Sequence, residues 1–454
     1  MNRILMKRIY EVVALTILFL LICFIYKGQQ RLSYNGGLGW DGVYYYPIAE
    51  QLYQGTDPVS GQAPFIQRPG TPLLIAAYAR ISGSDILDSA VVVNLAGMYL
   101  TTLLLFLWLG AFINKFWLKG LLSFLFMMAW YLPLRVTFQD PMATDAWGAA
   151  WFMAGLLFLP PIRKMFERKK DVALFGYVLA FSLVVGIGVL FRESNAVLFL
   201  ALFFIVNPLK EFKGVSLKNF TFSALGKSLK SLWKLYFVRQ TLLLFIPLIF
   251  IVLAKELLSN HILIEKSDYS YIKTLFKWFY TKSLPEYLLG IFNACGPLVV
   301  LLPFFTKEIR GILREKQELL FLLMMAFVFG WVGGSDTERI FFMSAFPVLL
   351  IWMGYSIKRI LESSKRWWFY ILCVLQTISF RFFWNLPDHP SNDWQTPFPF
   401  FGFFGDRFQY LFLYAHHGQY ILNSILFAEY VALFLVTWYL LSGKSDVELE
   451  NSDV

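Results

Sequence analysis

Asp41, Asp140, Asp145, Glu193 and Asp336 stand beside the apolar runs of this 454-residue chain, with Arg68, Arg192 and Arg339 close by. Threading the runs through a bilayer puts all of them on one side. A carboxylate can take a proton from an attacking hydroxyl, and a guanidinium fork can hold two oxygens of a phosphate. Converging from separate loops, such groups would line a polar chamber on a lipid-embedded scaffold and do chemistry at its outer face.

Placing those groups requires helices that cross the membrane. Hydrophobic residues make up 58% of the chain and charged residues 15%, which excludes an ordinary soluble domain. Apolar runs of about 18 to 25 residues recur, enough for a helix to cross about 30 Å of hydrocarbon with its backbone bonded internally. Spans are expected near 9–26, 88–112, 117–133, 146–161, 172–191, 195–208, 240–258, 288–305, 319–332, 339–357, 367–384 and 420–441. That is about twelve, with both termini cytoplasmic. Arg3, Lys7 and Arg8 precede the first run, and its bulky, polar end from Tyr26 to Gln30 offers no cleavage site, so a retained first helix is expected. The fold class is all-α and polytopic, with residues 1–444 as one transmembrane domain and 445–454 as a disordered acidic cytoplasmic tail.

The net charge of +10 is spread through short loops, where topology explains it, and no nucleic-acid partner is expected. Most basic residues, including Arg163, Lys164, Arg168, Lys169 and Lys170, fall on the cytoplasmic side. Cys23, Cys295 and Cys373 sit singly in separate spans and read as packing residues.

Three outer connections are long. In 27–87 a short helix is expected from Pro47 to Tyr53; Gly55, Pro58, Gly61 and Pro64 then break the chain, and a second helix starts at Pro69 and Pro72, both lying along the interface. In 259–287, Lys266, Lys273, Lys277 and Lys282 accompany Trp278 and Tyr280, the pattern of an interfacial amphipathic helix meeting head groups or a phosphate, or of an ordinary surface helix. The loop 385–419 is rich in Phe, Pro and Gly and suits the bilayer edge or a lid.

Gly39-Trp40-Asp41-Gly42-Val43-Tyr44-Tyr45-Tyr46, followed by Arg68-Pro69-Gly70-Thr71-Pro72, resembles the first outer loop of the GT-C superfamily of polyprenyl-phosphate-sugar-dependent glycosyltransferases. Arg135-Val136-Thr137-Phe138-Gln139-Asp140-Pro141, with Asp145 beyond, is similar to the second acidic motif of the next outer loop. Arg339, after the turn Gly333-Gly334, resembles the family's late arginine that contacts the donor phosphate. The resemblance implies a multi-pass enzyme of a bacterial inner membrane, mannosyl- or arabinosyltransferase-like. Its implied partners are a polyprenyl-phosphate sugar donor, a lipid or glycan acceptor and membrane lipids.

The residue chemistry agrees with that implication. Sugar transfer from a lipid phosphate needs one base for the acceptor proton, whereas the phosphate leaves without a general acid. Asp41 is expected to be that base, or else to cap the helix after it. Asp140, Asp145 and Tyr45 are expected to bind the acceptor or support the base, with helix capping an alternative for Asp145. Arg339, Arg192 and Arg68 are the candidates for the donor phosphate, although Arg192 can instead neutralise Glu193, and Arg339 can pair with Glu338 or Asp336. Arg135 can hold one of the carboxylates in place.

His389, His416 and His417, with Asp388, Asp393 and Asp406, match no strong metal spacing, so no metal or other cofactor is expected. No Gly-rich phosphate loop leads into Lys and Ser or Thr, which argues against direct use of a nucleoside triphosphate. Two other functions stay open: a polysaccharide polymerase or ligase, and a transporter or flippase of lipid-linked sugars, for which charge at the span centres is scarce.

Overall fold

Long apolar runs in lipid must bond their own backbones, and the chain is accordingly built of helices. The computed structural model describes residues 3–129, 133–208, 228, 230–231, 233, 239–265, 270–334, 337–383 and 420–442. Ser335 and Asp336, the loop 385–419 with its histidines, and the tail 445–454 lie outside the described residues.

The helices are α1 (Arg3–Tyr26), α2 (Gly42–Gln54), α3 (Gly70–Ser82), α4 (Ile86–Leu109), α5 (Phe116–Met128), α6 (Pro133–Gln139), α7 (Asp145–Glu167), α8 (Asp171–Gly188) and α9 (Val197–Leu202). There follow α10 (Ile246–Ser259), α11 (Tyr271–Thr281), α12 (Leu284–Cys295), α13 (Thr306–Glu315), α14 (Gln317–Val332), α15 (Thr337–Glu362), α16 (Arg366–Ser379) and α17 (Tyr420–Ser442). Helical segments stand at all the stretches expected to cross. Among the described residues, however, only four are long and apolar enough to cross alone: Met6–Tyr26, Ile86–Leu109, Asp171–Gly188 and Asn423–Ser442. Others, such as α5 and α14, fall short of the roughly 20 residues a straight crossing takes, so about twelve crossings is not what helix length supports.

One candidate span is broken. Helix α12 and the 3-10 helix Pro297–Phe305 meet at 97°, with Gly296 at φ +68 between them. A break in lipid exposes backbone groups, and Gln376 of α16 covers two of them. Its Nε2 donates to the Cys295 carbonyl at 2.9 Å, and its Oε1 accepts from Leu298 N at 3.0 Å.

Helix α7 packs against α4 and α8, α8 against α10, and α15 against α12 and α14. Gly97 lets α4 approach α7 at Trp147, since a β-carbon there would stand 2.9 Å from the indole. Close approach through small residues is how helices attract one another where lipid removes the hydrophobic drive.

The first loop folds over one end of this bundle around its own core of Tyr45, Ile48, Val59, Ile66, Ile75 and Met142. Both expected helices are present, as α2 and α3. Sequence did not foretell their partner: β1 (Val59–Gln62) pairs in parallel with β2 (Ile262–Glu265), stitching the first loop to the 259–287 connection. That connection also holds the expected amphipathic helix, α11.

Candidate active site

Asp41 sits at the tip of a turn that only glycine-rich sequence permits. Gly36, Gly37 and Gly39 have φ of +66, +91 and +69, and the Asn35 amide donates to the Gly39 carbonyl at 2.9 Å. Asp41 precedes α2, yet its side chain caps nothing; its backbone carbonyl alone accepts from Tyr44 N and Tyr45 N. The capping alternative therefore fails, and the carboxylate turns to Arg339, with Oδ2 3.4 Å from Nη2.

The second acidic stretch is held under this turn from two sides. Asn94, buried in α4, donates to the carbonyls of Pro141 and Ala143 at 2.8 and 2.9 Å, and Leu32 N donates to the Gln139 carbonyl at 3.0 Å. Asp140 comes to lie directly beneath Gly39, 6% exposed, with Oδ1 lacking a hydrogen-bond partner among the described residues. Burial pushes its carboxyl up to about 7; Arg339 opposes the rise and Asp41 adds to it. Asn94 escaped the sequence reading, although an amide inside an apolar helix is itself a signal.

Asp145 opens α7 but caps nothing either, because Thr144 holds the capping position. Its carboxylate bridges two guanidinium groups: Oδ1 pairs with Arg192 Nη2, and Oδ2 accepts from Arg339 Nε at 2.5 Å. Arg192 lies across Gly148, where a β-carbon would collide with its side chain. Arg192 and Glu193 do not pair with each other as sequence allowed. Glu193 Oε2 instead accepts from Arg68 Nε at 2.6 Å, while Arg68 Nη1 donates to Tyr45 Oη at 3.4 Å. The adjacent side chains serve different partners because Arg192 is the last extended residue before the 3-10 turn Glu193–Ala196, with φ −153 and ψ 126.

The cluster thus gathers Arg68, Arg192 and Arg339 with Asp41, Asp140, Asp145 and Glu193, from the first loop, the α6–α7 connection, the α8–α9 turn and the start of α15. Burial, with Arg339 and Arg68 close by, lowers Arg192 to about 10, so it stays charged at neutral pH. The side chains of Asp41 and Arg339 are 33% and 25% exposed, against 6% for Asp145 and 15% for Arg192, so the first pair is more open than the second. Tyr45 is fully buried and touches the site through Arg68.

Arg135 does not join these groups. Fully buried, it donates to Tyr26 Oη and the Arg381 carbonyl at 3.0 and 2.9 Å, and lies over the Tyr26 ring. The start of α6 points it into the bundle, so it does not hold Asp140 or Asp145. Among the described residues, no three His, Cys, Asp or Glu side chains gather to hold a metal.

In fold, the chain is similar to ArnT from Cupriavidus metallidurans, solved bound to undecaprenyl phosphate. The TM-score is 0.54 at 15% identity, over 95% of this chain and 72% of that one. It is also similar to the archaeal oligosaccharyltransferase AglB from Archaeoglobus fulgidus, solved with an inhibitory peptide and a dolichol-phosphate, with a TM-score of 0.51 at 12% identity over 82% of this chain. The match takes in 55% of AglB, so this chain spans about half of that protein's length. No family model matches the sequence, and no curated protein does. What the chain shares with these two proteins is the fold.

Proposed function

We propose that this membrane protein is an inverting glycosyltransferase that moves a sugar from a polyprenyl-phosphate carrier to a hydroxyl of a lipid or glycan acceptor, outside the cytoplasm. The observation that carries the reading is the shared Arg339: buried Asp145 grips its Nε, and the open carboxylate of Asp41 meets its Nη2 more loosely. A GT-C fold around such a pair agrees with it.

In this mechanism the donor phosphate takes the place of Asp41 on Arg339, whose contact at 3.4 Å is longer than that of Asp145. Asp145 keeps the arginine in place meanwhile. The released Asp41 accepts the proton of the acceptor hydroxyl as its oxygen bonds to the anomeric carbon. The bond from that carbon to the phosphate oxygen breaks, and the electron pair leaves with the lipid phosphate. Arg192 and Arg68, each committed to a carboxylate, supply positive field behind the phosphate, and Asp140 helps to hold the acceptor. No metal is assigned a step.

The test is sugar transfer from a polyprenyl-phosphate sugar by purified protein. Asp41→Asn is expected to keep expression and thermal stability and to lose transfer by a factor of about 100 or more; undiminished turnover would assign the base elsewhere. The transporter reading finds one observation, the broken helix at Gly296. That break carries no charged side chain and its backbone is covered by Gln376, so it needs no passing solute to explain it.

A further inference from the structure

Helix α11 has no part in the reaction proposed above, yet it is built with a definite polarity. Ile272, Leu275, Phe276 and Phe279 recur at helical spacing on one face and are 66%, 40%, 59% and 55% exposed. Lys273 and Lys277 stand on the adjoining face, also exposed, and no acidic residue occurs from Tyr271 to Pro285.

The helix is fixed to the bundle at its end. Lys282 Nζ donates to the carbonyls of Gly330 and Gly334 and to Thr337 Oγ1, at 2.8, 2.7 and 2.7 Å. Those groups close α14 and open α15, which carries Arg339. Trp331 Nε1 adds a bond to the Phe279 carbonyl at 3.4 Å. The apolar face therefore lies open beside the end of an apolar bundle helix, where the hydrocarbon of a bilayer gives way to head groups.

We infer that α11 is a docking surface for an anionic lipid leaflet. Ile272, Leu275, Phe276 and Phe279 enter the acyl region, and Lys273 and Lys277 pair with head-group phosphates. The charge complementarity selects lipid over a protein partner: an apolar stripe whose charged neighbours within the helix are both lysines matches an anionic membrane surface continuous with the one that holds the bundle. The inference does not rest on glycosyl transfer, since docking needs no substrate.

The test uses the intact protein in nanodiscs, one set of phosphatidylcholine alone and one with a third phosphatidylglycerol. Amide hydrogen exchange across residues 270–282 is expected to slow on the order of tenfold in the anionic discs, while exchange in α4 stays unchanged. Lys273→Glu/Lys277→Glu, at exposed positions, is expected to abolish the difference without altering the melting temperature. Phe276→Asp is expected to speed exchange in both lipids. Equal exchange of the natural helix in the two lipids, whether fast or slow, overturns the proposal.

Discussion

Gly39 lies so close above Asp140 that a β-carbon on the glycine would stand 2.6 Å from a carboxyl oxygen of the aspartate. The same glycine sits at φ +69, which L side chains rarely adopt. Gly39→Ala is therefore expected to cost about 2 to 4 kcal/mol through backbone strain and overpacking together. It should also push Asp41 away from Arg339. Thermal unfolding and donor-dependent activity measured on one preparation check both effects; a variant with natural melting and turnover would show that the turn is not held by Asp140.

Asp145 is the buried tie between two arginines, and removing its charge takes the buried ion pair away from Arg192 and the closer of the Asp41 and Asp145 contacts away from Arg339. Asp145→Asn is expected to destabilise the protein by on the order of 3 kcal/mol. Because Arg339 also loses its anchor, the donor KM should rise more than kcat falls. Steady-state kinetics and a melting curve in detergent read these two quantities; an unchanged donor KM would mean that Arg339 is held without Asp145.

Asp140 makes stability depend on pH in a stated direction. Burial holds its carboxyl near 7 when folded, whereas an unfolded chain releases that proton near about 3.9. Below about 4 both states carry the proton and there is no penalty. Between about 4 and 7 the folded state binds more protons than the unfolded one, so this group makes stability fall as pH rises, and the full cost is present above about 7. Asp140→Asn stays neutral throughout and should lose this part of the decline in melting temperature between pH 5 and 8. An identical slope in the variant would assign the decline to other groups.

Gln376→Leu keeps the volume at the helix break but strands the Cys295 carbonyl and Leu298 N in an apolar environment. A loss of about 2 to 5 kcal/mol is expected, the sum of two unsatisfied backbone groups. Gln376→Glu keeps an acceptor for Leu298 N and gives up the donor to Cys295. Melting curves of the two variants should differ from the natural protein and from each other.

Much of the scaffold was legible because its signals are periodic or conformational. Apolar runs marked the helices, and Pro, Gly and a lone Asp marked the turn that presents Asp41. The convergence of Asp41, Asp145 and Arg339 was expected from a shared side of the threaded chain and from the resemblance of their motifs together. The pairings within the cluster did not. Whether Arg192 meets Glu193 or Asp145 depends on the rotation of α8 against α7 and on the space left by Gly148, which a single sequence does not encode locally. Arg135 was misplaced for a related reason, since its place near Asp140 in sequence says nothing about where a one-turn change of direction sends a long side chain. The four-residue strands were invisible because their partners lie in distant loops. Helix count remained the weakest expectation, as a 13-residue apolar segment such as α5 has the composition of a span without its length.

The ladder between β1 and β2 joins only four residue pairs, but it connects two excursions that the chain leaves far apart. It is seamed further by Val59 N bonding the His261 carbonyl and by His261 meeting Asp57. Through that ladder the connection that carries the turn of Asp41 is tied by its backbone to the 259–287 connection, so neither strand can slide along the bundle's rim without breaking the pairing.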